Sequence, residues 1–194
     1  MIIRLYVGGA RSGKSRLAAE RAEAAGGEDV SFVATGRATD AEMARRIEKH
    51  RADRPASWET LESEGDASEA LRRASHETVL LDCLTFVVAD ALTQGPAAEE
   101  LALERCRTAI ENLVSTAEAL EGELIVVTNE VGAGVVPATD LGRWFRDAQG
   151  WANQRLAEAA TEVTWVVAGI GVTIKPPPGR GGARPPDGVL RSEG

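Results

Sequence analysis

The sequence predicts an α/β domain of three layers, a mostly parallel sheet with helices on both faces. Three observations carry that expectation. Short β-branched or leucine-rich runs alternate along the chain with stretches of helical period. The runs are apolar at successive positions, so both faces of each strand are buried, as in a covered parallel sheet. The first run leads into a glycine-rich stretch, Gly8–Ser15, with a helical pattern directly behind it.

Taken in order, Ile2–Val7 is the first strand and Lys14–Ala25 the first helix. Val30–Ala34 is the second strand. Asp40–Asp53 reads as a helix, with Asp40 as an N-cap candidate and Pro55 as the stop. Thr78–Asp82 is a third strand that closes on a carboxylate. In Ala97–Leu120, residues Leu103, Cys106, Ile110, Leu113, Ala117 and Leu120 recur at helical spacing and define one buried face. Glu123–Thr128, Asp140–Ala160 and Val163–Ala168 continue the alternation as strand, helix and strand. Val172–Ile174 follows Gly169-Ile170-Gly171 too closely for a crossover, so this last strand is expected to be antiparallel. The domain is expected over residues 1–175. Residues 176–194, PPPGRGGARPPDGVLRSEG, are dense in Pro, Gly and Arg and read as a flexible tail.

The 194 residues, 43% of them hydrophobic, suit one soluble domain with a full core. A net charge of −8 counts against a general nucleic-acid or membrane-surface binder. No apolar run approaches the ~20 residues that span a bilayer. The N-terminus runs straight into a structural motif and is not read as a signal peptide. Cys83 and Cys106 lack CxxC spacing and are expected to be reduced thiols in a cytoplasmic protein. With two histidines in the chain, a zinc site built from histidines is not expected.

Gly8-Gly9-Ala10-Arg11-Ser12-Gly13-Lys14-Ser15 matches the P-loop pattern G-x-x-x-x-G-K-[ST] in full. The glycines let backbone N–H groups face phosphates. Lys14 would bridge the β- and γ-phosphates, and Ser15 would hold Mg²⁺ through its hydroxyl. The following helix points its positive end at the anion. The chain has three lysines, Lys14, Lys49 and Lys175, which makes a chance match less frequent still. A second metal carboxylate is expected at the end of a neighbouring strand, where Asp82 stands. Its alternative role is that of a capping aspartate.

In DAEMARRIEKHRADRP, Arg46, His50 and Arg54 recur every four residues on one helix face, flanked by Lys49 and Arg51. Such a cluster in an acidic protein suits a triphosphate or a phosphorylated substrate. A neutral imidazole at His50 could attack phosphorus and give a phosphoramidate. Nearby cations would favour the neutral form and offset charge on the phosphate. On the pattern alone, a solvated basic face with an incidental histidine is the more ordinary reading. His76, just before a strand, reads as a surface loop residue. Asn129 and Glu130 follow the fourth strand at its carboxyl end, where open α/β sheets bind ligands; they could touch nucleotide or substrate, or serve the loop.

GGARSGKS, EMARRIEKHRADRP, LLDCLT, TNEVGAGVVP and FRDAQGWANQRLA followed by VVAGIGVTIK occur in that order over residues 1–175. On these motifs the chain resembles the bifunctional adenosylcobinamide kinase/adenosylcobinamide-phosphate guanylyltransferase family of cobalamin biosynthesis. The resemblance implies a RecA-like P-loop fold and a homotrimer. It implies two reactions: transfer of the γ-phosphate of ATP or GTP to adenosylcobinamide, then transfer of GMP from GTP to adenosylcobinamide phosphate through a GMP–histidine. By motif the nucleophile is His50. Nucleotide-binding positions carry over to Gly8–Ser15, to Ala34, Thr35 and Gly36, to Arg51, Ala52, Asp53 and Arg54, and to Glu62 and Asp82. Asp82 falls where relatives carry glutamate, and its shorter side chain changes reach. Lys49 stands where a relative can have a second histidine. Two other readings follow from the P-loop. One is a single-activity kinase of a small metabolite. The other is a RecA-type regulatory NTPase, against which the negative charge counts.

Overall fold

A computed structural model describes residues 1–37, 40–52, 54–95 and 98–179, without the side chains of Arg46, Lys49 and His50. Asp53 and residues 180–194, most of the expected tail, lie outside the described residues.

The seven strands are β1 (Ile2–Gly8), β2 (Val30–Ala34), β3 (Glu59–Glu62), β4 (Thr78–Asp82), β5 (Glu123–Asn129), β6 (Glu162–Val167) and β7 (Ile170–Lys175). The helices are α1 (Lys14–Gly26), α2 (Ala41–Ala52), α3 (Ala67–Arg72), α4 (Leu84–Thr93), α5 (Glu99–Ala119) and α6 (Asp140–Ala159). One sheet holds all the strands in the order β3-β2-β4-β5-β1-β6-β7. Every neighbouring pair is parallel except β6 and β7, which pair antiparallel as the short connection requires. This is the three-layer α/β architecture that the sequence predicts, a mostly parallel sheet with an antiparallel last strand.

The period-2 alternation of strands sorts their side chains into two cores. Ile3, Leu5, Val79, Leu81, Leu124 and Val126 pack with α4, α5 and α6 on one face. Leu80, Ile125 and Val127 point the other way, onto Ala18 and Ala22 of α1 and onto Trp58. Helix α2 contributes no residue to either cluster among the described side chains; Met43 and Ile47 instead border a cleft at the sheet's carboxyl edge.

Three elements go beyond the sequence expectations. Strand β3 is a four-residue edge strand, ETLE, whose single leucine makes no apolar run. Helix α4, LTFVVADALT, is too uniformly apolar to display a 3.6-residue period and follows β4 after one residue. Helix α3 did carry a signal: Asp66 followed three residues later by Glu69 is an N-terminal capping pattern. The Asp66 Oδ1 accepts from Ser68 N at 2.9 Å and Glu69 N at 3.1 Å.

Candidate functional site

Strand β1 ends at Gly8, and the loop to α1 turns under the sheet edge. The turn needs a left-handed backbone at Arg11 (φ 58°) and Gly13 (φ 95°). Gly8 has no room for a side chain, since a Cβ there would stand 2.4 Å from Val166 O. Helix α1 starts at Lys14 with no side-chain cap, which leaves its first N–H groups for an anion. Lys14 is buried and donates from Nζ to Gly9 O at 3.1 Å, folded back along the loop. The turn between β6 and β7 braces the loop from outside: Gly169 N donates to Ser12 O at 2.8 Å, and Arg16 Nη2 donates to Gly169 O at 3.2 Å.

In front of the loop lies a cleft of ≈ 410 Å³. Arg11, Lys14, Ser15 and Asp82 make its polar end. Phe32, Met43, Ile47 and Phe86 give it an apolar wall, and Asn129, Glu130 and Val131 border it from the end of β5. Arg54 also borders it, stacked with its guanidinium carbon 3.8 Å from the Phe32 ring centroid. Burial holds the Arg54 guanidinium below its ordinary range; Glu62 and Asp82 oppose that shift and Arg51 adds to it. Arg54 stays a cation regardless.

The structure therefore brings Ala10, Arg11, Lys14, Ser15, Ala34, Gly36, Arg54 and Asp82 around one cavity. Gly8, Gly9, Ser12 and Gly13 shape the loop behind it. Arg51, Ala52 and Glu62 are exposed, and both charged ones act on Arg54. Thr35 is buried, and its hydroxyl serves the backbone: Oγ1 accepts from Cys83 N at 2.7 Å and donates to Cys83 O at 2.8 Å. That pair anchors the chain beyond Asp82. His50 stands in the last turn of α2, on the helix that supplies Met43 and Ile47; its side chain is outside the described set, as is the whole of Asp53. His76 lies in a loop, where its N–H donates to Ser31 Oγ at 3.2 Å.

Motif spacing gave no sign of a buried polar cluster behind Asn129. Thr85 of α4 and Gln149 and Asn153 of α6 hold it, from segments remote in sequence. Among the described residues no group of three or more His, Cys, Asp or Glu side chains could ligate a metal. No described helix is long and apolar enough to cross a membrane.

A family model described as cobinamide kinase / cobinamide phosphate guanyltransferase matches residues 4–174. The chain is 43% identical over 176 residues to the bifunctional adenosylcobalamin biosynthesis protein CobP of Pseudomonas aeruginosa, covering 90% of this chain and 98% of that one. It is 42% identical over 182 residues to the bifunctional adenosylcobalamin biosynthesis protein CobU of Escherichia coli, covering 88% and 98%. Among solved structures it is similar to a KaiC-like protein of Pyrococcus horikoshii, at 14% identity and a TM-score of 0.43 over 84% of this chain and 70% of that one. It is also similar to the P4 protein of bacteriophage phi13, at 16% identity and a TM-score of 0.45 over 88% and 52%.

Proposed function

The chain belongs to the cobinamide kinase / cobinamide phosphate guanyltransferase family, and from that premise we propose that it carries out both reactions of a bifunctional enzyme of cobalamin biosynthesis. In the first, the aminopropanol hydroxyl of adenosylcobinamide attacks the γ-phosphorus of ATP or GTP. The bond to the bridging oxygen breaks, the nucleoside diphosphate leaves, and the hydroxyl proton passes to solvent. In the second, a ring nitrogen of His50 attacks the α-phosphorus of GTP and pyrophosphate leaves. An oxygen of adenosylcobinamide phosphate then displaces the imidazole from phosphorus and forms adenosylcobinamide-GDP.

The observation that carries this reading is the sharing of one cleft. The P-loop's Lys14 and Ser15, the strand-end carboxylate Asp82 and helix α2 all border it. Helical spacing of four and then three residues sets position 50 on the α2 face that Met43 and Ile47 define. Arg51 and Arg54 follow directly and supply positive charge for a phosphate under attack. Lys14 and the N–H groups at the start of α1 would hold the β- and γ-phosphates. The backbone of Ala34–Gly36 and the Arg51–Arg54 segment, with Glu62, are the remaining nucleotide contacts in this reading.

Ser15 and Asp82 would hold Mg²⁺, a fit to an ion that takes one or two protein oxygens and fills its shell with water and phosphate. When bound, the ion supplies neutralisation of phosphate charge. The enzyme is proposed to act in the cytoplasm, where its nucleotides are abundant, and to assemble as a homotrimer.

The test uses GTP labelled on the α-phosphate. The wild-type chain should acquire label in an acid-labile, base-stable bond, and mass spectrometry should find GMP on His50. His50→Ala should take up no label while still phosphorylating adenosylcobinamide. Label retained by His50→Ala means another nucleophile; an unlabelled wild type favours a single-activity kinase.

A further inference from the structure

Asn129 ends β5, the strand between the P-loop strand β1 and the Asp82 strand β4, and its Cα pairs in register with Gly8. It borders the cleft, and every group of its backbone and half of its side chain are spoken for. Its N–H and its Nδ2 both donate to Thr85 Oγ1, at 3.2 Å and 3.0 Å. Its carbonyl accepts from Asn153 Nδ2 at 3.0 Å. Asn153 is itself locked: its Oδ1 accepts from Thr128 Oγ1 at 2.7 Å and from Gln149 Nε2 at 2.9 Å, and Gln149 Nε2 also donates to Thr128 Oγ1 at 2.9 Å. Gln149 and Thr128 are wholly buried. The next residue, Glu130, donates its N–H to Gly8 O at 3.2 Å, so the segment is tied to the P-loop as well.

The hydrogen-bond inventory decides which way the Asn129 amide faces. The Thr85 Oγ1 lone pairs accept from both donors of Asn129. The Nδ2 is therefore the inward atom, and Oδ1, without a protein partner among the described residues, is the atom offered to the cleft. The cluster leaves Gln149 Oε1 buried without a partner, but its other bonds, held on rigid elements, fix the position of the Asn129 amide. A fixed acceptor oxygen beside the P-loop repels phosphate oxygens. It suits a donor, and the hydroxyl of the acceptor is a neutral donor that the phosphoryl-transfer step brings to the γ-phosphate.

We propose that Asn129 Oδ1 accepts a hydrogen bond from the alcohol that receives the γ-phosphoryl group and orients its oxygen toward phosphorus, with Thr85, Asn153 and Gln149 as positioning residues. The step is the one written above, in which the alcohol oxygen bonds to the γ-phosphorus as the bridging bond breaks. This inference rests on the bifunctional reading and assigns Asn129 to its kinase half alone. Orientation of a bound reactant has large leverage, and loss of one placed hydrogen bond costs on the order of 10–1000-fold in turnover.

The experiment measures three quantities on the full chain: nucleotide Kd, phosphoryl transfer to adenosylcobinamide with its KM and kcat, and GMP labelling. Asn129→Ala should lower transfer to the alcohol by about 10–100-fold, leave nucleotide Kd unchanged, and raise the ratio of nucleotide hydrolysis to transfer. GMP labelling should match the wild type. Thr85→Val should lower transfer in the same direction, and Thr85→Ser should restore it. Nucleotide Kd weakened in step with turnover would mean that Asn129 touches phosphate, and would overturn the proposal. Equal losses in transfer and labelling, or no loss in either, would also overturn it. A wild type that phosphorylates the corrinoid but takes no GMP sinks the guanylyl half of the broader reading and leaves the Asn129 assignment standing. A wild type with no transfer at all sinks both.

Discussion

At the scale of single residues, the cleft holds a thiol that its surroundings silence. Burial pushes Cys83 up to about 11; the charge of Asp82 adds to that, and the Thr85 hydroxyl opposes it. Burial likewise takes Cys106 to about 11 against the pull of Arg107. The thiolate is the reactive form, so at pH 7.5 each is almost wholly protonated and shielded. Iodoacetamide at that pH should modify neither cysteine of the native protein, and both after unfolding in guanidinium, as read by mass spectrometry. Fast alkylation of native Cys83 would show that water reaches it through the cleft. Thr35 makes a related point. Its hydroxyl is committed to both backbone groups of Cys83 and its N–H donates to Asp82 O at 3.4 Å, so what it can offer a nucleotide is its carbonyl.

At the scale of elements, the end of the sheet opposite the cleft is tied by ion pairs. Glu123 at the start of β5 accepts from Arg4 Nε of β1 at 2.7 Å and from Arg21 of α1 at 2.7 Å and 2.6 Å. Arg4 also pairs with Glu162 at the start of β6. Burial raises the Glu123 carboxyl, but the hydrogen bonds and charges of Arg21 and Arg4 outweigh it, and the net direction is down. A carboxylate lowered on folding contributes stability above its unfolded value of about 4.3 and loses it as pH falls through the folded value. Glu123→Gln should therefore cost about 1–3 kcal/mol at pH 7. The gap between wild type and variant in urea unfolding should close as the pH drops below about 4. A gap independent of pH would mean that the side chain matters for its packing and not for its charge. Helix α2 is the opposite case, with no described residue in either core cluster. Its place depends on the cleft it borders.

At the scale of the molecule, the β6–β7 hairpin closes the sheet with an apolar face still uncovered. Trp165, Val167, Ile170, Val172 and Ile174 are each about half exposed or more, a patch of the kind that subunit contacts cover. The turn of the same hairpin braces the P-loop through Gly169. Trp165→Glu and Val172→Lys should lower the mass measured by light scattering from that of the proposed homotrimer to that of one chain. A trimer unaffected by both would put the contact elsewhere. Much of the architecture was legible in the sequence. Five strands, four helices and the reversed last strand follow from local period and turn residues, because burial is written in neighbouring positions; β6 departs from the expected burial on both faces, with Trp165 and Val167 half exposed. The P-loop is legible for the same reason, as eight contiguous residues whose backbone does the work. Edge strand β3 and helix α4 were not, since the one is too short and polar and the other too evenly apolar to carry a period. Nor was the polar cluster at Asn129, whose partners stand 44 residues before it in Thr85 and 24 after it in Asn153. What the sequence by itself determined is the set of elements, the phosphate loop and the ordered motifs of the family. Only the tertiary structure decided that Lys14, Asp82, Arg54 and Asn129 share one cleft, because strand order, which no local pattern encodes, sets which carboxyl ends stand side by side.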